Sequence, residues 1–140
     1  MDALSGKTAL VTGAASGIGE GMAVKLAETG ANLAICDLQE TIHDVAEKIA
    51  NDTGVTVRAD VVDVRDPDQV FEFVGEVNSH FSGLDIVIAN AGVWRPTDPV
   101  EDSKEKTVAD WDLLVNTNLK GVYLTGRASI PHLVSNGGGF

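Results

Sequence analysis

Short continuous apolar runs alternate along the chain with longer stretches in which apolar side chains recur every three or four positions. The first kind fits a strand buried on both faces, and the second fits a helix with one face turned inward. Strands are expected at about 8–11, 32–36, 55–64 and 84–89, and helices at about 16–29 and 40–52. Ile18, Met22 and Leu26 form the apolar stripe of the first helix, and Ile42, Val45 and Ile49 that of the second. Gly30 and Gly54 supply the stops. A third helix has the clearest start: Asp66 suits a cap, Pro67 the first helical position, and Gln69 follows the cap by three. Val70, Val74, Val77 and Phe81 share one face of it, and Gly83 ends it. A polar segment from 94 to about 106 precedes a helical region from about 107 to 134, which Gly121 and Pro131 can bend or break. Ser135 to Gly139 read as a helix stop, and Phe140 as the first residue of another strand. Alternating strands and helices predict an α/β fold, a doubly wound parallel sheet covered on both faces, within one domain over 1–140.

The corner between the first strand and first helix, Thr12-Gly13-Ala14-Ala15-Ser16-Gly17-Ile18-Gly19, is where chemistry is concentrated. Glycines let the backbone approach a bulky group without Cβ atoms in the way, and the following helix offers free N–H groups and a positive dipole end. Gly13, Gly17 and Gly19 therefore suit a pyrophosphate. Asp37 closes the second strand about two dozen residues after Gly13, where a carboxylate accepts hydrogen bonds from both adenosine ribose hydroxyls. It repels a 2′-phosphate, and no Arg or Lys occurs at 14–16 or 38–40, so NAD is favoured over NADP. Taken alone, Asp37 fits a helix cap or turn equally well.

Bulk properties narrow the classes. A formal charge of −11 and a pI near 4.4 argue against nucleic acid and anionic membrane as partners. No apolar run has the length of a membrane span, and residues 1–7 lack the features of a signal peptide, which suggests the cytoplasm. The single cysteine, Cys36, lies in a strand run and reads as packing. His43, His80 and His132 fall on separate helices without ligand spacing, so no metal site is expected.

The spacing T-G-x-x-x-G-I-G, together with motifs further along, resembles the short-chain dehydrogenase/reductase family. Asp63-Val64 is similar to that family's adenine-contacting Asp and its apolar neighbour. Asp60-Val61 offers the same dipeptide, but Asp66-Pro67 opens the next helix directly after Asp63. Asn90-Ala91-Gly92 matches an N-A-G turn in which the Asn steadies the sheet and the Gly lets the backbone approach the cofactor. Asn118-Leu119-Lys120-Gly121 matches an N-x-x-G segment whose Asn belongs to the catalytic set. It interrupts its helix locally and positions a water of a proton path. Asn116 is the rival, but Gly121 follows Asn118 by the required three. The resemblance also allows Ser16 and Ile18 to touch the cofactor, and brings Trp94 and Arg95 to the edge of the substrate pocket. On residue type alone those two fit a surface loop equally well.

The resemblance implies a Rossmann-type sheet of order 3-2-1-4 and hydride transfer between a small-molecule alcohol or ketone and NAD. It also implies homo-oligomers formed through the fourth and fifth helices. Within 1–140 no Ser and Tyr-x-x-x-Lys catalytic set occurs. The one tyrosine, Tyr123, has Arg127 four residues on and reads as core. The stretch thus reads as a cofactor-binding half, stopping before a fifth strand and inactive alone. Its fourth strand would be an edge prone to instability, aggregation or self-pairing. The alternatives are a non-catalytic dinucleotide-binding module and an interaction fragment that binds no nucleotide.

Overall fold

The computed structural model describes residues 3–140; Met1 and Asp2, which begin the stretch considered above for a leader, lie outside them. Four strands, β1 (Thr8–Thr12), β2 (Asn32–Asp37), β3 (Val57–Val61) and β4 (Ile86–Ile88), form one parallel sheet in the order β3-β2-β1-β4. Leu10 pairs with Ala34 on one side and Val87 on the other. The helices are α1 (Gly17–Glu28), α2 (Ile42–Thr53), α3 (Pro67–Phe81), α4 (Lys104–Val115) and α5 (Gly121–Ser135), with a π-helical turn at Asn116–Lys120.

Strand alternation divides the core in two. Ala9, Val11, Leu33 and Ile35 face α1 and α2, where Ala23, Ala27, Ile42 and Ile49 are buried. Leu10, Ala34 and Cys36 face the other way, onto Val70, Val74, Val77 and Ala128 of α3 and α5. Both faces of β1 and β2 are dry, so their residues read as unbroken apolar runs.

Several local expectations are corrected. The buried stripe of α1 is Gly19, Ala23 and Ala27, one position on from Ile18, Met22 and Leu26; Ile18 is 77% exposed. Small residues let α1 approach the sheet, and that close packing outweighs the pull of larger side chains. On α2 the buried residues are Ile42, Ala46 and Ile49, with Val45 only partly covered. Helix α3 begins as expected, the Asp66 side chain accepting from the N–H groups of Asp68 and Gln69. It ends one residue early, at Ser82 in the left-handed region (φ 57°). Strand β3 stops at Val61, because after Val62 donates to the Asp37 carbonyl (2.9 Å) the chain leaves the ladder. Strand β4 shortens to three residues, because Asn90 N–H turns back onto the Ile88 carbonyl (3.0 Å).

The polar segment ends sooner than its composition suggests. Ser103 caps α4 by accepting from Lys106 N–H (3.2 Å), so the helix starts at Lys104. The break near Gly121 is the π turn, whereas Pro131 is accommodated inside α5. Tyr123 is not core but 63% exposed, because α5 turns Gly121, Thr125, Ala128 and Ser129 inward. Phe140 bonds like a strand residue beside β4: its N–H donates to the Asp85 carbonyl (3.0 Å), and its carbonyl accepts from Val87 (2.7 Å).

Candidate functional site: a cleft at the carboxyl ends of the strands

β2 continues the sheet on one side of β1 and β4 on the other, so connections leave in opposite directions and a crevice opens between them. A cleft of about 500 Å³ occupies that place. Its volume is in the range of small-molecule sites.

Two glycines of the corner are demanded by packing. A Cβ on Gly13 would lie 2.7 Å from Ala91 Cα, and a Cβ on Gly19 would collide with the Gly13 carbonyl. Gly17 is different. Its φ is +61° and nothing stands within 4 Å of where its Cβ would be, so the backbone at the start of α1 lies open. The Ser16 side chain accepts none of the N–H groups of that first turn. Gly13, Ser16, Ile18 and Gly19 line the cleft, while Gly17 does not.

Asp37 ends β2 with its carboxylate on the cleft. One oxygen accepts from Ala15 N–H (3.0 Å) and the other from Gln39 N–H (3.1 Å). Each retains acceptor capacity toward a ligand.

Asp63 and Val64 also line the cleft, whereas Asp60 pairs with Arg58 on β3 (2.7 Å). Both Asp63 oxygens receive the Arg65 guanidinium, at 2.8 and 2.6 Å. That hydrogen-bonded fork holds the Asp63 carboxyl below the usual carboxylate range. Arg65 lines the cleft and was not foreseen; its spacing from Asp63 carries no motif, although the opposite charges two residues apart were a signal. Leu38, Gln39, Val62, Val93, Leu113 and Thr117 were likewise not foreseen as lining residues.

Asn90 and Ala91 tie β4 to the glycine corner. Asn90 Nδ2 donates to the carbonyls of Thr12 and Gly13, both at 3.1 Å, and Ala91 N–H donates to Thr12 Oγ1 (3.0 Å). Gly92 follows in the cleft wall. Asn118 does not line the cleft; its amide clamps the loop after β4. Oδ1 accepts from Val93 N–H and Nδ2 donates to the Val93 carbonyl, both at 2.8 Å. Asn118 stands in the π turn, a helix irregularity common at functional sites. Cys36 is buried, and burial pushes its thiol far up, away from the reactive thiolate form.

An uncapped helix N-terminus, an open glycine backbone, a carboxylate at the end of β2 and a wall of Val62 and Val64 fit the phosphates, ribose and base of a dinucleotide. The family model for short chain dehydrogenase matches residues 7–140. The chain belongs to the short-chain dehydrogenase family. Members of this family are oxidoreductases that bind nicotinamide dinucleotides. Among curated relatives, cis-4-hydroxycyclohexanecarboxylate dehydrogenase of Sinomonas cyclohexanicum is 37% identical over 99% of this chain. A short-chain type dehydrogenase/reductase from Mycobacterium marinum superimposes over 96% of the chain with a TM-score of 0.84 at 33% identity, covering 53% of that protein. An alcohol dehydrogenase from Thermococcus sibiricus, complexed with 5-hydroxy-NADP, does so over 94% with a TM-score of 0.83 at 33% identity, covering 55% of that protein. The chain spans 54% of the Sinomonas enzyme and 32% of the bovine hydroxysteroid dehydrogenase-like protein 2.

Proposed function

We propose that the protein is an NAD-dependent oxidoreductase that moves a hydride between a small-molecule alcohol or ketone and the nicotinamide, and that residues 1–140 furnish its cofactor-binding half. The single observation that carries this reading is the Asp37 carboxylate on the cleft, beside the uncapped N-terminus of α1. When bound, the nicotinamide supplies the hydride acceptor or donor. The chain's own residues bind and orient. Gly17, Ile18 and Gly19 N–H groups take the pyrophosphate, with Gly13 and Ser16 beside them. Asp37 accepts from the adenosine ribose hydroxyls. Asp63 and Val64 flank the base, Asp63 sharing its charge between Arg65 and the ligand. Asn90, Ala91 and Gly92 form the nicotinamide side.

Asn118 serves the proton path. Its side-chain amide is committed to Val93, so a water that it positions rests on the main chain of the π turn. NAD is preferred to NADP because a 2′-phosphate would stand against Asp37, and no Arg or Lys occurs at 38–40. The alternative of a nucleotide-free interaction fragment leaves the uncapped helix and the open Gly17 without a purpose.

A homo-oligomer is part of the proposal. Val108 and Trp111 of α4 and Tyr123, Ile130 and Val134 of α5 are exposed, and α4 buries no residue of its own. Such a surface favours a second copy. No helix among the described residues is long and apolar enough to cross a membrane, and we place the protein in the cytoplasm.

Fluorescence titration of the full-length protein with NADH and NADPH tests the reading. Saturable binding of NADH, about tenfold or more tighter than NADPH, is expected. No saturable binding of either overturns it.

A further inference from the structure

Trp94 and Arg95 form a two-residue span held at both ends. On one side the Asn118 amide grips both polar groups of Val93 at 2.8 Å. On the other, Lys106 Nζ donates to the Pro96 carbonyl (3.3 Å). Lys106 is itself held by Asp102 (3.0 Å) and Asp110 (2.7 Å). The loop that carries Arg95 is therefore tied to α4 and the π turn, with residues 94–101 exposed.

Arg95 lines the cleft, as do Gly92, Val93, Leu113 and Thr117, and is itself exposed. Its side chain makes one intramolecular hydrogen bond, from Nη1 to the Trp94 carbonyl (3.2 Å). Among the described residues no carboxylate pairs with it. Two carboxylates of its own loop, Asp98 and Asp102, are engaged elsewhere. Asp98 accepts from Val100 and Glu101 N–H groups, and Asp102 accepts from Asp98 N–H and Lys106. At the adenosine end Arg65 is neutralised by Asp63. Among the described residues that line the cleft, Arg95 is thus the cation without a counter-ion, in a chain whose formal charge is −11.

A guanidinium fork matches the two oxygens of a carboxylate, and a loop already anchored at both ends loses little main-chain freedom on binding one. We propose that Arg95 binds a carboxylate of the substrate, so that the alcohol or ketone turned over is a hydroxy acid or oxo acid. The proposal rests on the hydride-transfer reading of the cleft. The other source of the same chemistry is a cofactor phosphate, and the test separates the two.

Initial rates of the full-length protein with saturating NAD are compared for hydroxy acids of four to eight carbons and for their methyl esters, alongside NADH titration. The wild-type protein is expected to favour the acids in kcat/KM by roughly 10–100-fold. Arg95→Ala is expected to bring that ratio near one through KM, with the NADH Kd unchanged, and Arg95→Lys to keep part of the preference. Equal rates for acids and esters in the wild type, or a loss in Arg95→Ala shared by both, overturn the proposal and leave the dehydrogenase reading standing. A loosened NADH Kd with an unchanged acid-to-ester ratio assigns Arg95 to the cofactor phosphates and also overturns it. Absence of NADH binding or of any turnover overturns the dehydrogenase reading and the proposal together.

Discussion

Asp37 is fixed before any ligand arrives, one oxygen on Ala15 N–H and the other on Gln39 N–H. Replacing it removes a ribose acceptor and frees the corner that it pins. Asp37→Ser is expected to weaken NADH binding at least tenfold, and to narrow the gap to NADPH, in the same fluorescence titration. The glycines of the corner separate by role. Gly19→Ala must push its own helix off the Gly13 carbonyl, so a loss of about 2 kcal/mol or more is expected in urea unfolding. Gly17→Ala meets no atom and pays for its positive φ alone, about 1 kcal/mol. Equal losses at the two positions would contradict that division. The type and place of these residues could be read from the sequence, because turn geometry and charge act locally. Tyr123 could not. Its neighbours are apolar, but which side of a helix faces the core depends on how α5 rolls against α3, and the small residues Ala128 and Ser129 decide that.

Between elements, Asp85 joins three pieces of the fold. It accepts from Thr8 N–H (2.9 Å), Lys7 Nζ (2.9 Å) and Asn136 Nδ2 (3.1 Å), linking the entry of β1 to β4 and the end of α5. Burial raises its carboxyl pKa, but the Thr8 N–H, Lys7 and Asn136 hydrogen bonds outweigh that and hold it below the usual range. Asp85→Ala is expected to cost about 1–3 kcal/mol in urea unfolding. Asp63, held down chiefly by Arg65, behaves in the same direction. A carboxyl whose folded pKa is depressed stabilises the fold above its unfolded pKa, near 4, and loses that contribution as pH falls through the folded value. Stability is thus expected to stay level in these two contributions above about pH 5 and to decline below pH 4. Asp63→Asn should flatten part of the acid decline in thermal melts; an unchanged profile would mean the Arg65 pair is too solvated to matter. Element order and type up to β4 were plain from the apolar pattern and its stops, and Asp66-Pro67 marked the start of α3 to the residue. The start of α4 was hidden, because Lys104, Glu105 and Lys106 look like loop until Ser103 is seen to cap them.

Taken whole, the described residues present a filled sheet on β1 and β2, with Val108 and Trp111 of α4 and Tyr123, Ile130 and Val134 of α5 exposed. Sedimentation of the full-length protein is expected at the mass of a dimer or higher. Trp111→Glu with Tyr123→Glu should shift it toward the monomer, and a wild-type protein that sediments as a monomer would remove a partner copy from the picture. The parallel sheet followed from strand–helix alternation and its order β3-β2-β1-β4 from the family resemblance, whereas the amide clamp of Asn118 on Val93 needed coordinates, since the two lie 25 positions apart. Crystals of the full-length protein grown with NAD provide the most direct measurement. The electron density should place the pyrophosphate on the N–H groups that open α1 and the adenosine ribose hydroxyls within hydrogen-bond distance of Asp37. Density with the ribose turned away from Asp37, or a dinucleotide bound outside the cleft between β1 and β4, would contradict the assignment.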